Sequence, residues 1–139
     1  MKNTVLALLW LCVLTFSCST IRPTAEQLAN PDCGKYPSDY EQIITAYLKE
    51  HRYDPYSETI VDLQITEPRG CWHHAGGAAP VTFGYCFMVS LNPKNKMGGY
   101  TGLKHYFAFI RDDSVRTFVD DEGSYEKANL VNCTAARKQ

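Results

Sequence analysis

The chain has 139 residues, 45% of them hydrophobic and 12% aromatic, which suits one domain with one core. This composition excludes a disordered or collagen-like protein. The 14 basic residues nearly balance the 15 acidic ones, and no basic cluster indicates a nucleic acid partner. Six cysteines in so short a chain indicate export to an oxidising compartment or a metal site.

Residues 1–17 have the features of a secretory signal peptide. The apolar stretch 5–16 suits the core of such a signal and is too short to span a bilayer. Small residues then surround Cys18, as in the lipobox of bacterial lipoproteins, where the cysteine is acylated and becomes the new N-terminus. Thr15 stands where such boxes usually carry leucine. The alternative is cleavage after Ser19 by ordinary signal peptidase, which leaves a soluble periplasmic protein.

Acylation of Cys18 predicts a lipid-anchored protein, because two or more acyl chains suffice for stable attachment to a membrane. The next residue, Ser19, is not acidic, which is typical of lipoproteins sorted to the outer membrane of two-membrane bacteria. We therefore expect an outer-membrane protein that faces the periplasm and has another envelope protein as its partner. The expected organisation is a lipidated tether over 18–37, one domain over 38–133 and a polar tail over 134–139.

Two disulfides are predicted in the exported chain. With Cys12 in the signal and Cys18 on lipid, four cysteines remain: Cys33, Cys71, Cys86 and Cys133. Three connectivities are open. The favoured one joins Cys71 to Cys86 across a hairpin loop and Cys33 to Cys133 across the two ends of the domain.

The clearest helix signal begins at Ser38, which forms a capping box with Glu41. Five apolar residues then recur on one helical face: Tyr40, Ile43, Ile44, Tyr47 and Leu48. Pro55 ends the pattern. A further short turn of helix is expected at 25–29 within the tether. The sequence thus predicts one amphipathic helix that lays its apolar face on a sheet.

Four strands follow this helix in the sequence. Apolar and polar residues alternate or cluster in strand-like runs over 59–66, 81–91, 103–111 and 114–119. Short connections, such as the Asp112-Asp113 turn, favour antiparallel pairing of consecutive strands. We therefore predict an α+β fold: one N-terminal amphipathic helix packed on a four-stranded antiparallel meander sheet stapled by disulfides. A short helix is expected at 125–130.

No catalytic constellation is evident, and we predict neither an enzyme nor a cofactor. The sequence lacks G-x-S-x-G, H-E-x-x-H and the P-loop motif. His73 and His74 lie in a segment expected to be a loop between two strands, and adjacent loop histidines rarely converge on one metal. The alternative is a soluble periplasmic enzyme or a ligand- or metal-binding protein that uses the segment from Cys71 to His74, with Cys86 as a further metal ligand.

The most distinctive segment is the glycine-rich loop 92–102, which reads N-P-K-N-K-M-G-G-Y-T-G. Its glycines allow a tight reversal between two strands, and a loop on a rigid sheet is a common place for recognition. We predict a binding rim formed by Lys94, Asn95, Lys96, Gly98, Gly99 and Tyr100.

This loop, the D-P-Y-S element at 54–57 and the F-G-Y that opens a strand at 83–85 resemble a known group of proteins. They are small, mostly uncharacterised proteobacterial envelope lipoproteins with a D-P-x-S element and an N-[AP]-K-N-x-x-G-G-Y-x-G loop. The resemblance covers roughly residues 36–119 and implies no catalytic residue. By analogy it implies an accessory of an envelope-spanning secretion assembly.

Overall fold

A computed structural model describes residues 21–51, 62–94 and 97–133 of the chain. Several predicted features lie outside the described residues: the signal peptide, Cys18, the D-P-Y-S element, Asn95, Lys96 and the polar tail. Within the described part, no helix is long and apolar enough to cross a membrane.

The described chain contains two helices and six strands. The helices are α1 (Ala25–Ala29) and α2 (Tyr40–His51). The strands are β1 (Gln64–Ile65), β2 (Arg69–His74), β3 (Val81–Leu91), β4 (Lys104–Arg111), β5 (Ser114–Asp120) and β6 (Asn129–Leu130). They form one sheet of order β5-β4-β3-β2-β6, with β1 also paired to β3 and all pairs antiparallel. The predicted α+β class with an antiparallel sheet is confirmed.

The prediction of one N-terminal helix packed on four strands is wrong in the position of the helix and in the number of strands. The sheet has six strands, and α1 precedes the amphipathic helix α2. A capping box between Thr24 and Gln27 closes the start of α1, but none of its residues is buried. This helix is the short turn expected at 25–29, and it contributes nothing to the core because none of its side chains is buried.

Strand β2 occupies the segment that was expected to be the loop carrying His73 and His74. It pairs with β3 along its whole length, from Arg69 opposite Cys86 to His74 opposite Val81. Its sequence lacks the β-branched residues that mark most strands, and it includes a glycine. That glycine, Gly70, is required by packing, because a Cβ there would collide with the Cys133 sulfur.

The predicted helix at 125–130 is also wrong: a turn at 124–127 leads into β6. Strand β6 covers part of the free edge of β2, with Leu130 opposite Cys71. The Val131 amide then donates to the Gly70 carbonyl at 2.9 Å. Unpaired backbone groups at a sheet edge favour such pairing over an isolated helical turn. The predicted strand 59–66 is shorter in its described part, where only Gln64–Ile65 is strand.

The face of the sheet under α2 holds the larger core. The apolar face predicted for α2 is confirmed: Ile44 and Leu48 are buried, and its three partly buried members pack on the same cluster. The partner side chains come from the alternating positions of β3, among them Phe83, Tyr85 and Phe87. The period-2 pattern of β3 therefore positions the helix.

Part of the segment predicted as tether belongs to this core. Cys33 and Pro37 are buried, and the Tyr36 ring meets the Tyr85 ring edge-on at 5.3 Å between centroids. Cys33 is bonded to Cys133, with 5.9 Å between their Cα atoms. The chain is thus fixed to the sheet several residues before α2 begins.

Candidate functional site

The opposite face of the sheet, which we call the open face, carries a second apolar cluster: Cys71, Cys86, Phe107 and Phe109. Cys71 and Cys86 form the second disulfide, which joins β2 to β3. Both bridges are thus the pairs that the sequence favoured. The alternate positions Gly84 and Cys86 of β3 are therefore buried, and the Phe109 ring of β4 packs closely on Gly84.

The sheet curls toward the open face. Neighbouring strands lie about 4.8 Å apart, so β2 and β5 would be separated by roughly 14 Å in a flat sheet. Yet Nε2 of His73 on β2 lies 3.0 Å from Oγ1 of Thr117 on β5. A bulge between Phe109 and Ile110 shifts the register of β4 and β5, which sharpens the bend. The curl creates a hollow above β3.

This hollow is a cavity of about 600 Å³ at the end of the sheet where the β2–β3 and β4–β5 turns lie. That volume is typical of small-molecule sites. Phe109, Val81 and Ala75 supply apolar lining, while His73 and Thr117 supply polar lining. The wall also contains Gln27, Asn30, Asp32, Thr82, Phe83, Arg111, Asp112 and Arg116. The N-terminal segment that includes α1 therefore forms part of the cavity.

Arg111 holds that N-terminal segment against the sheet. Its guanidinium donates to the backbone carbonyl and the carboxylate of Asp32, to the Phe83 carbonyl at 2.8 Å, and to the Asp112 carboxylate at 3.1 Å. The Arg111 side chain is only 19% exposed. The hydrogen bond from Arg111 to the Asp32 carboxylate is the main cause of the lowered pKa of Asp32, and a hydrogen bond from the Gly34 amide lowers this pKa further. Arg111 therefore positions the wall of the cavity, and its charge is fully occupied.

Arg116 is a charged residue of the cavity lining that has no ion-pair partner among the described residues. It is exposed on β5 and makes no salt bridge with any residue in the described part of the chain. Beside it, burial lowers the pKa of His73, with a smaller contribution from the charge of His74. The His73 ring also packs against Phe109 at 5.2 Å between centroids. The cavity thus combines the Arg116 guanidinium, an imidazole whose pKa is lowered and an apolar wall.

The segment from Cys71 to His74 does not gather metal ligands. Cys71 and Cys86 share a disulfide, so neither offers a thiolate. His73 and His74 are adjacent in a strand and point to opposite faces. His74 Nε2 is buried and has no hydrogen-bond partner among the described residues. Across residues 21–51, 62–94 and 97–133, no three histidine, cysteine or acidic side chains form a cluster that could hold a metal.

The predicted binding rim lies at the other end of the sheet. Lys94 and Tyr100 form an isolated antiparallel bridge, and the Lys94 ammonium lies 5.2 Å from the centre of the Tyr100 ring. The Thr101 amide donates to the Pro93 carbonyl at 2.9 Å. Gly98 has a φ of 81°, which allows the reversal. The loop is therefore built as a short hairpin that exposes an aromatic ring, with Gly99 exposed beside it and Asn95 and Lys96 outside the described residues.

Sequence patterns gave no sign of the cavity residues on β4 and β5. Asp32 and Arg111 are 79 positions apart in the sequence, and they meet next to Cys33, which is bonded to Cys133 at the far end of the domain. Arg116 and Thr117 resemble the ordinary polar residues of an alternating strand. The one available signal was His73, which the sequence placed in a loop rather than on the curled face.

Comparisons of the chain with models of protein families, with curated proteins and with solved structures give no match. The resemblance of the 92–102 loop to envelope lipoproteins therefore stays a prediction.

Proposed function

We propose that this protein is an exported lipoprotein, anchored through Cys18 in the outer membrane, whose periplasm-facing domain binds another envelope protein. It acts by positioning that partner rather than by catalysis, and an accessory role in an envelope-spanning secretion assembly fits such a module. The observation that carries the proposal is the use of cysteine. Four cysteines pair within the folded domain, and the other two lie in the apolar leader and its lipobox-like end.

The disulfides support export, because bridges persist in the periplasm and are rare in the cytosol. Both bridges connect secondary structure that the fold needs: one joins two neighbouring strands, and the other joins the two ends of the domain. A reducing compartment would therefore weaken this fold. Export explains why so small a domain carries two of them.

The arrangement of the sheet supports an outward-facing binding loop. The N-terminal segment joins the sheet at the end marked by the Asp112-Asp113 turn, through Arg111 and through a Lys35–Asp113 ion pair of 3.0 Å. The 92–102 loop follows the far end of β3, whose 11 residues span roughly 35 Å at about 3.4 Å each. An anchor at Cys18 then places the loop on the side away from the membrane.

The exposed side chains of this loop suit protein recognition. Met97 is 94% exposed and Tyr100 53% exposed. Tyrosine and methionine are enriched in interface cores, and an aromatic anchor often dominates the affinity. Membrane anchoring raises the local concentration of the domain, so that a modest loop contact suffices.

A photo-crosslinking side chain at position 97 tests this proposal in cells. We expect one discrete adduct with an envelope protein, and we expect Tyr100→Ser to reduce its yield about tenfold, as for an aromatic interface anchor. The matched control places the same crosslinker at Ala78, which is exposed in the turn at the opposite end of the sheet.

Adducts that are the same from both positions would contradict the assignment of the loop as the binding surface. The absence of any adduct from position 97 would contradict it equally. Retention of the adduct in Tyr100→Ser at full yield would show that the ring is not the anchor.

A further inference from the structure

We propose that the cavity on the open face binds a small organic carboxylate with a flat apolar body, and that Arg116 supplies the counter-charge. This site lies at the opposite end of the sheet from the 92–102 loop and is independent of the partner-binding role proposed above. The proposal rests on the cavity volume and on the division of its lining into an apolar wall and a few polar groups.

The cavity lining holds two arginines and two aspartates, so its formal charges balance, and an anion needs a cation that is locally available. Arg111 is bonded to both Asp32 and Asp112, so it has no spare charge for a ligand. Arg116 lines the same cavity without such a partner among the described residues. A guanidinium presents a planar fork of donors that matches a carboxylate, and charge-assisted bonds of this kind are stronger than neutral ones.

The shape and polarity of the wall favour a flat apolar body on that anion. Phe109 is buried beneath the cavity, and Val81 and Ala75 complete the apolar part of the lining. The half-buried His73 ring lies tilted on Phe109, with 5.2 Å between ring centroids, and a planar ligand ring can pack against the side of His73 that faces the cavity. Burial lowers the pKa of His73, which disfavours a second positive charge at the cavity.

Two matched ligands and ¹⁹F NMR on the mature full-length protein in detergent micelles test this site. The probes are 4-fluorobenzoate and its neutral analogue 4-fluorobenzamide, each also measured with empty micelles. We expect saturable binding of 4-fluorobenzoate and much weaker binding of the amide. Arg116→Gln should weaken the binding of 4-fluorobenzoate about tenfold, as expected for loss of one charge-assisted contact. The same substitution should leave the affinity for 4-fluorobenzamide unchanged.

Matched variants separate the cavity from other surfaces. Lys104→Gln removes an exposed cation at the other end of β4 and should leave 4-fluorobenzoate binding unchanged. Ala75→Phe should fill the cavity and abolish binding, whereas Ala78→Phe, in the same turn but outside the lining, should not. All four positions are exposed or partly exposed, so the fold should tolerate these changes.

Three results would overturn the proposal: no saturable binding of 4-fluorobenzoate, equal binding of the acid and the amide, or binding that survives both Arg116→Gln and Ala75→Phe. These outcomes are distinguishable from failure of the loop proposal, since crosslinking at position 97 and ligand binding at the cavity use opposite ends of the sheet.

Discussion

Replacing Cys33 and Cys133 together with alanine is expected to lower the free energy of unfolding by about 4–5 kcal/mol. The bridge connects positions with a sequence separation of 100, so its removal frees nearly the whole domain in the unfolded state. In the native state, the same bridge holds the N-terminal segment beside β2 and β6, where Gly70 leaves room for the Cys133 sulfur. Urea unfolding of oxidised protein measures the change.

A second signature distinguishes loss of the cross-link from loss of packing. The unfolded chain expands when the long loop is opened, so the denaturant slope should increase in the double variant. Replacing both cysteines with serine also removes the bridge and should match the double alanine variant. A loss below about 1 kcal/mol with an unchanged slope would show that this bridge contributes little to the fold.

Arg111→Met is expected to lower the free energy of unfolding by about 3 kcal/mol. Methionine retains the unbranched aliphatic part of the arginine side chain but lacks the guanidinium. The part-buried Phe83 carbonyl therefore loses its donor at 2.8 Å. It also removes the contact with Asp32 in the wall of the cavity, while the Cys33–Cys133 bridge still holds the N-terminal segment. Urea unfolding at neutral pH measures the loss.

Lys35→Met is the matched control for Arg111→Met. Lys35 also links the N-terminal segment to the β4–β5 turn, through Asp113, but both side chains are largely exposed. Exposed ion pairs contribute little because water screens them, so this variant should unfold almost as the parent does. Equal effects of the two substitutions would contradict the central role assigned to Arg111.

The Arg111–Asp32 pair also predicts a dependence on pH. Arg111 holds the pKa of Asp32 below its usual value of 3.8, so the folded protein favours the carboxylate more than the unfolded chain does. The stability from this pair is therefore complete above that usual value and is lost as the pH falls through the lowered pKa. The difference in free energy of unfolding between the parent and Arg111→Met should therefore decrease in that acid range. A difference that does not change with pH would contradict a stabilising Arg111–Asp32 pair.

Elements with strong hydrophobic periodicity were predictable from the sequence. The face of α2 with Ile44 and Leu48, and the alternation of β3, were read correctly because burial on one side determines the residue types there. Strand β2 was missed because its pairing with β3 and its disulfide, rather than its own residues, determine its conformation. The two-residue strand β6 forms by pairing with the edge of β2, which its own sequence does not indicate.

The two candidate sites differ in the same way. The 92–102 loop is a local structure, and its glycines and turn residues predict it from the sequence. The cavity depends on the curl that brings His73 to Thr117 and on the contact of Asp32 with Arg111. Both contacts join residues far apart in the chain, and no local pattern encodes them. The sequence pattern therefore did not predict which residues line the cavity.

The intact mass of the mature protein, purified from membranes without reduction, tests the lipid anchor. We expect a chain that begins at Cys18, carries the mass of its acyl chains and lacks the four thiol hydrogens of the two disulfides. An unacylated chain that begins after Ser19, or one that keeps the signal peptide, would contradict the lipid anchor and the outward orientation of the loop.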